Sequence, residues 1–265
     1  MFSIDRHAYS NRLRTVHPGE KFAFASLLLI TSLAFPSIVS SLAIFLLMSG
    51  TVILRAGIPS RFYLKLMSLP FSFLVVGVIT IAVSLSRNPG PALHGITVWG
   101  VTIGVTNHDL RVAAQLFLRS LAAVSCLYFL SLTTPMVEII PVLKKLRVPV
   151  LFIELMSLVY RFIFVLMESA ERIYTAQSSR CGYATFKSSY FSLGQLASNL
   201  FIKSYHQSKL LFTAMESRCY SGEIKVLEPR YNLSPANILI IVLIDLALIA
   251  LALYTGGNFV GRIYS

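Results

Sequence analysis

The chain has 265 residues, 55% of them hydrophobic and only 13% charged, with a mean hydropathy of +0.72, which is too apolar for a water-soluble domain. A formal net charge of +12 and a pI near 9.8 raise nucleic-acid binding as an explanation. No basic run interleaved with aromatics occurs, however, and the cations lie mostly outside the apolar runs, as the positive-inside pattern of membrane proteins requires. The composition therefore predicts an integral membrane protein whose first partner is the lipid bilayer, with no nucleic-acid partner.

Residues 1–21 are polar and charged without a continuous apolar core, so no cleavable signal peptide is expected. Apolar runs follow at 22–35, 38–54, 66–86, 110–132 and 237–255. The first two flank Pro36-Ser37 and form either one long kinked helix or a hairpin. Counting Lys and Arg outside the spans, the hairpin puts 19 on one side against 2 on the other, and the single helix gives 15 against 6. The hairpin is the better fit: five transmembrane helices, N-terminus cytoplasmic, C-terminus external. Between the third and fourth runs, Arg87-Asn88-Pro89-Gly90-Pro91 breaks the helix, and residues 96–105 are rich in β-branched side chains around Gly100 and Gly104, which predicts an external loop of extended character. Thr106 with Asp109 is a weak capping-box signal for the fourth span. Arg119 in that span and Asp245 in the last are charges at membrane depth, where isolation is costly. They are expected to form an intramembrane ion pair tying the last span to the bundle, with an ion path as the other reading.

The chain thus divides into an N-terminal segment with four spans (1–134), a cytoplasmic region (135–235) and the last span with an external C-terminus (236–265). Within the cytoplasmic region, 135–147 reads as a short amphipathic helix ending in Lys144, Lys145 and Arg147, with Pro149 forcing a break. The next stretch, 151–180, is apolar enough to suggest another span. Glu154, Ser157, Arg161 and Glu168 nevertheless recur along one stripe, and burying such charges near a bilayer centre costs roughly 2.5 to 3.5 kcal/mol apiece, so a cytoplasmic amphipathic helix is expected. A second such helix covers 190–218. Each ends in the same phrase: Thr175-Ala176-Gln177-Ser178-Ser179-Arg180-Cys181 recurs as Thr213-Ala214-Met215-Glu216-Ser217-Arg218-Cys219. Two arginines at the same point of two similar helices imply two equivalent docking points and a two-fold partner. Arginine at a helix C-terminus also complements the helix dipole, but a dipole specifies none of the flanking Thr, Ala, Ser and Cys.

Candidate chemistry of other kinds is thin. Cys126 lies in a span, and neither Cys181 nor Cys219 stands in a CxxC or Cys/His spacing, so reduced thiols are expected. The histidines His7, His17, His94, His108 and His206 are scattered. With no HExxH, GxSxG or P-loop sequence, neither a metal site, a cofactor, a catalytic residue nor an ATPase site of the chain's own is expected.

Across its whole length the chain resembles the transmembrane T component of an energy-coupling factor (ECF) transporter, of the cobalt, CbiQ-like type. The residues that carry this are Asp5, Asn11, His17-Pro18 and Lys21; Thr134-Pro135 and Leu146-Arg147-Val148-Pro149; Tyr160-Arg161-Phe162-Ile163 with Glu168 and Arg172; and chiefly the two Ala-x-x-Ser-Arg phrases. The resemblance implies an all-α membrane scaffold in a bacterial cytoplasmic (inner) membrane with cytoplasmic coupling helices. Their terminal motifs (Ser179-Arg180 and Ser217-Arg218) would dock in two ABC-type ATPase subunits, and the same scaffold would hold a substrate-binding membrane subunit. The implied substrate is cobalt, with nickel as the alternative, and a self-sufficient channel or secondary transporter is the rival function. Family motifs typically read Ala-Arg-Gly. Here a cysteine stands where the helix-ending glycine would be, while Gly182 comes one residue late and Gly222 later still.

Overall fold

Capping chemistry at His17 and Ser37 sets where the first two long helices begin. Helix α1, Phe2–Ser10, is followed by a 3-10 turn at Arg12–Thr15. Helix α2, Pro18–Ala34, opens with a proline that needs no amide partner, and the His17 ring accepts from the Gly19 amide at 2.9 Å. Phe35 and Ser37 are both extended, and the Ser37 hydroxyl caps α3, Ile38–Gly50. The chain therefore makes two helices here and not one kinked helix. A π-helical turn, Thr51–Arg55, continues α3 and is stopped by Gly57 at φ 73°. The remaining helices are α4 (Ser60–Ala82), α5 (Asn107–Thr133), α6 (Met136–Lys145), α7 (Val150–Ser179), α8 (Phe186–Glu216) and α9 (Pro235–Ile263).

This computed structural model describes residues 2–35, 37–82, 84–86, 94–98, 101–105, 107–220 and 234–263. Pro36, the 87–91 break, Gly100, Thr106 and Gly222 lie outside them. Between α4 and α5 the extended segment forms a small antiparallel sheet, β1 (Ser84–Ser86), β2 (His94–Val98) and β3 (Val101–Val105), in the order β1-β3-β2 with Ile96 opposite Ile103. The fold is otherwise helical. It divides into two compact units, Met1–Ile139 with Arg230–Ser265, and Ile140–Pro229.

In the first unit the helices alternate in direction, as the residues that meet show. Asn11 and Lys21 reach Thr133 at the end of α5, whereas Arg119 reaches Leu33 near the end of α2, so α2 and α5 are antiparallel. Glu20 meets Ser234 and Asn237, and Thr31 meets Asp245, so α9 runs parallel to α2. Ser49 of α3 meets Tyr63 of α4, and Tyr128 of α5 meets Leu66 of α4. The starts of α2, α4 and α9 thus share one end of the bundle with the finishes of α3 and α5. Helix α5 lies at the centre, packing against α1, α2, α3 and α4. The core between them is Phe24, Leu28, Ile44, Met48, Tyr63 and Phe129 with their neighbours, and Ala122 lets α5 approach closely.

The structure bears on two of the expectations. The five described helices long and apolar enough to cross a membrane are Ile38–Arg55, Ser60–Ile81, Asp109–Thr133, Val150–Ser179 and Pro235–Thr255. The count agrees with expectation; by length and composition α7 joins this set and α2 does not, a criterion that takes no account of the polar stripe along one face of α7. Helix α2, with 17 residues, rises only about 26 Å, short of a hydrocarbon core of roughly 30 Å. Helix α7 qualifies because the charges of its polar stripe are spread thinly through 30 residues. The chain is a multi-pass membrane protein. Secondly, Arg119 and Asp245 take partners on α2 and not each other. The Arg119 guanidinium donates to the Leu33 carbonyl, one of the last-turn oxygens that α2 cannot satisfy itself, and Asp245 accepts from the Thr31 hydroxyl at 2.8 Å.

At the other end of the bundle, Asn11 Nδ2 donates to the Ala8 and Thr133 carbonyls at 2.6 and 3.1 Å. Lys21, 3% exposed, donates to the Thr133 carbonyl at 3.1 Å and stands 3.7 Å from Glu138 of α6. Glu20 caps α9, accepting from the Ser234 amide and Asn237 Nδ2, both at 2.9 Å, where a carboxylate suits the positive end of a helix. Removing one member of a buried pair strands the other charge. Lys21→Met is expected to destabilise the protein by about 3 to 5 kcal/mol in micellar unfolding, and adding Glu138→Gln should recover part of that loss.

Candidate docking site

The two repeated phrases end their helices in the same way. After α7, Cys181 takes the left-handed conformation at φ 58°, its amide donates to the Ser178 carbonyl at 3.0 Å, and the next amide, of Gly182, donates to the Gln177 carbonyl at 2.9 Å. After α8, Cys219 is left-handed at φ 54°, its amide donates to the Glu216 carbonyl at 3.0 Å, and the Tyr220 amide donates to the Met215 carbonyl at 3.0 Å. Both are the paired-bond helix ending known as the Schellman motif. Cysteine therefore occupies the position that a glycine would fill: the left-handed residues are Cys181 and Cys219, and Gly182 is not one. Helix α6 ends likewise, with Arg147 at φ 61° and the Val148 amide on the Leu143 carbonyl.

This geometry puts Arg180 and Arg218 at equivalent last positions before the reversal. Both are exposed, and among the described residues neither guanidinium has a hydrogen bond or an ion pair. They are not spent on the carbonyls of their own helices. The serines beside them are: Ser179 donates to the Thr175 carbonyl at 2.9 Å and Ser217 to the Ala214 carbonyl at 3.0 Å. Cys181 and Cys219 are exposed free thiols, and Cys126 is buried.

Each end is braced differently. At the first, Gln177 Nε2 donates to the Ser192 carbonyl, Tyr183 donates to Gln177 Oε1, and the hydroxyls of Ser188 and Ser192 both donate to the Gly182 carbonyl. A Cβ on Gly182 would stand 2.8 Å from Ser192 Oγ and 2.9 Å from the Gln177 oxygen, so this wrap requires glycine for space. Thr185 then caps α8. At the second end, Tyr220 donates to Glu154 Oε2 at 2.5 Å, bringing the finish of α8 to the start of α7. Helices α7 and α8 are thus an antiparallel pair with one arginine at each extremity, separated by the 31 residues of α8, about 46 Å. The carboxylate of Glu154 holds the Tyr220 phenol above its usual pKa, because the bond requires the proton.

The residues sequence reasoning missed are those braces. Tyr220 and Gly182 follow the left-handed residue directly, a position whose amide and side chain commonly lock such endings, so the repeated phrase itself was the signal. Gln177 and Ser192 carry no comparable signal, being ordinary polar residues of a helix.

The family described as cobalt transport protein (CbiQ) matches residues 9–228, a stretch that contains α7, α8 and both phrases. The chain belongs to the CbiQ family. It is 33% identical to the cobalt transport protein CbiQ of Salmonella typhimurium over 84% of this chain and 99% of that one. It is 30% identical to an energy-coupling factor transporter transmembrane protein, EcfT, of Ruminiclostridium cellulolyticum over 66% of this chain and 67% of that one. An uncharacterized protein of Methanocaldococcus jannaschii is 37% identical over 95% of this chain and 93% of its own. One relative is named a cobalt transport protein and another a transporter transmembrane protein, and this CbiQ family member has five described helices long and apolar enough to cross a membrane.

Two outcomes follow from the helix endings. A side chain in the left-handed region costs about 1 kcal/mol relative to glycine, so Cys181→Gly and Cys219→Gly should each slow amide exchange at their helix end, and the β-branched Cys→Val at either site should speed it. Tyr220→Phe should speed exchange at Cys219 and leave Cys181 unchanged. Since the folded phenol pKa is raised, the Tyr220 contact contributes fully below the ordinary phenol range and fades as pH climbs through the higher folded value, which exchange measured against pH will show.

Proposed function

We propose that this chain is the energy-transmitting membrane subunit of an ECF-type importer for cobalt ions. Two ABC-type ATPase subunits each receive one arginine, Arg180 or Arg218, and movement of α7 and α8 is passed to a separate substrate-binding membrane subunit. The observation that carries the reading is the pair of identical helix endings, each presenting an exposed guanidinium with no partner of its own among the described residues. Guanidinium is suited to bidentate capture by carboxylates or carbonyls in a groove, where lysine would fit poorly.

Further support comes from the exposed apolar faces of the same helices. Phe201 and Leu210 of α8 are 73% and 71% exposed, and Leu151 and Phe152 of α7 are each 64% exposed. Faces of that kind belong against another protein or lipid. In this reading α7 and α8 are cytoplasmic coupling helices, the N-terminus is cytoplasmic and the C-terminus external. The substrate is recognised by the other membrane subunit, so cobalt is taken from the relatives' names, and nickel is separated from it by transport assays of the whole complex. The rival channel or secondary transporter would need charged groups lining a path, and the two candidates, Arg119 and Asp245, are each engaged by α2.

Single replacements Arg180→Glu and Arg218→Glu should each weaken ATPase copurification by about 2 to 5 kcal/mol, and the double replacement should abolish it. The native thiols report on the same surface: bound ATPases should shield Cys181 and Cys219 from maleimide. Undiminished assembly of the double variant would sink the proposal, and substrate flux through the chain reconstituted alone would favour the rival.

A further inference from the structure

At the end of the first unit where α2 and α9 begin and α3 and α5 finish, a cleft of about 300 Å³ opens between these helices. Its walls are apolar: Phe24, Leu47, Phe129, Ile240, Ile241 and Ile244. Its mouth holds Glu20, Lys21, Thr51 and Arg55. The charges there are not equivalent. Lys21 is buried against Glu138 and the Thr133 carbonyl, and both oxygens of Glu20 are taken by the start of α9. Arg55 remains exposed at the last position of the π-helical turn, and among the described residues it has no hydrogen bond or ion pair. Arg12 meets the two residues that follow Arg55. Its amide donates to the Ala56 carbonyl at 3.1 Å, its side chain lies over Gly57, and its guanidinium likewise has no partner among the described residues.

An apolar slot open at a bundle end, with the Arg55 guanidinium at its mouth and that of Arg12 over Gly57 two residues on, neither paired among the described residues, is complementary to one kind of molecule. We infer that the cleft holds an anionic phospholipid, one acyl chain between α2, α3 and α9 and the phosphate on Arg55 and Arg12. The chain removes apolar wall from water, and guanidinium binds phosphate through parallel charge-assisted bonds. A zwitterionic headgroup brings its own cation close to the two arginines and binds less well. A free phosphate has nothing to place in the slot. This site is independent of the ATPase reading, since it uses no residue of α7 or α8.

The full chain, purified in detergent and stripped of lipid, is titrated with phosphatidylglycerol, with phosphatidylcholine of the same acyl chains, and with inorganic phosphate, and adducts are read by native mass spectrometry. One phosphatidylglycerol should be retained, about tenfold or more tighter than phosphatidylcholine, and phosphate should not displace it. Arg55→Gln, an exposed change, should lower phosphatidylglycerol affinity about tenfold and leave phosphatidylcholine unaffected. Ile241→Trp, which fills the slot, should remove the lipid with Arg55 intact, and Leu47→Phe makes the same test from another wall if that variant does not fold. Equal binding of the two lipids, displacement by phosphate, or unchanged affinity in Arg55→Gln or in the folded slot-filling variant overturns the inference.

Discussion

Inside an apolar bundle every charge and every loose carbonyl needs a partner, and here one helix supplies most of them. Along α2, Glu20 caps α9, Lys21 holds the end of α5 and the start of α6, Thr31 meets Asp245, and the Leu33 carbonyl receives Arg119. The shortest candidate for a span therefore fixes the order of the others. Apolar packing is tolerant of sliding, because one leucine resembles another in an oily interior. Directional bonds at both ends of α2 are not tolerant, and they set the register of α5 and α9 against it.

The second unit is built on a different principle. Its helices bury little of themselves, and their definition comes from how they stop. Three of its helix ends reverse through a non-glycine residue in the left-handed region, Arg147, Cys181 and Cys219. Such a conformation persists only where surrounding bonds fix it. The wrap around Gly182 and the tie from Tyr220 to Glu154 supply those bonds, and in both cases the arginine just before the reversal has no hydrogen bond or ion pair among the described residues.

Much of this was legible in the residues. The charge count over Lys and Arg favours the hairpin at Pro36-Ser37, and α2 and α3 are indeed separate helices; the duplicated phrase marks two matching helix ends; β-branched residues after Gly100 form strand β3. What was not legible depended on angular position about a helix. Arg119 and Asp245 were paired in the sequence reading because both lie mid-span, but α2 offers each a nearer partner, and no spacing in the sequence states which helix stands between two others. The expectation that α7 lies outside the spans rests on its polar stripe, which length and average apolarity do not register, because a stripe is a property of one face. The geometry of the two helix endings was left open by the sequence for a simpler reason: glycine is preferred in left-handed turns but not required, and cysteine meets the conformation at a modest energetic cost.

The antiparallel pairing of α7 and α8 has a mechanical corollary. An α-helix is stiff along its axis, since lengthening it would break a hydrogen bond at every residue, so the separation of Arg180 from Arg218 is a ruler fixed by the 31 residues of α8. Two bodies gripping those extremities cannot draw together by compressing the rod between them. They can only swing it, and the swing must be absorbed at the two joints, the tight wrap at Gly182 and the single phenol bond at Tyr220. One joint is welded by several bonds and the other is a pin.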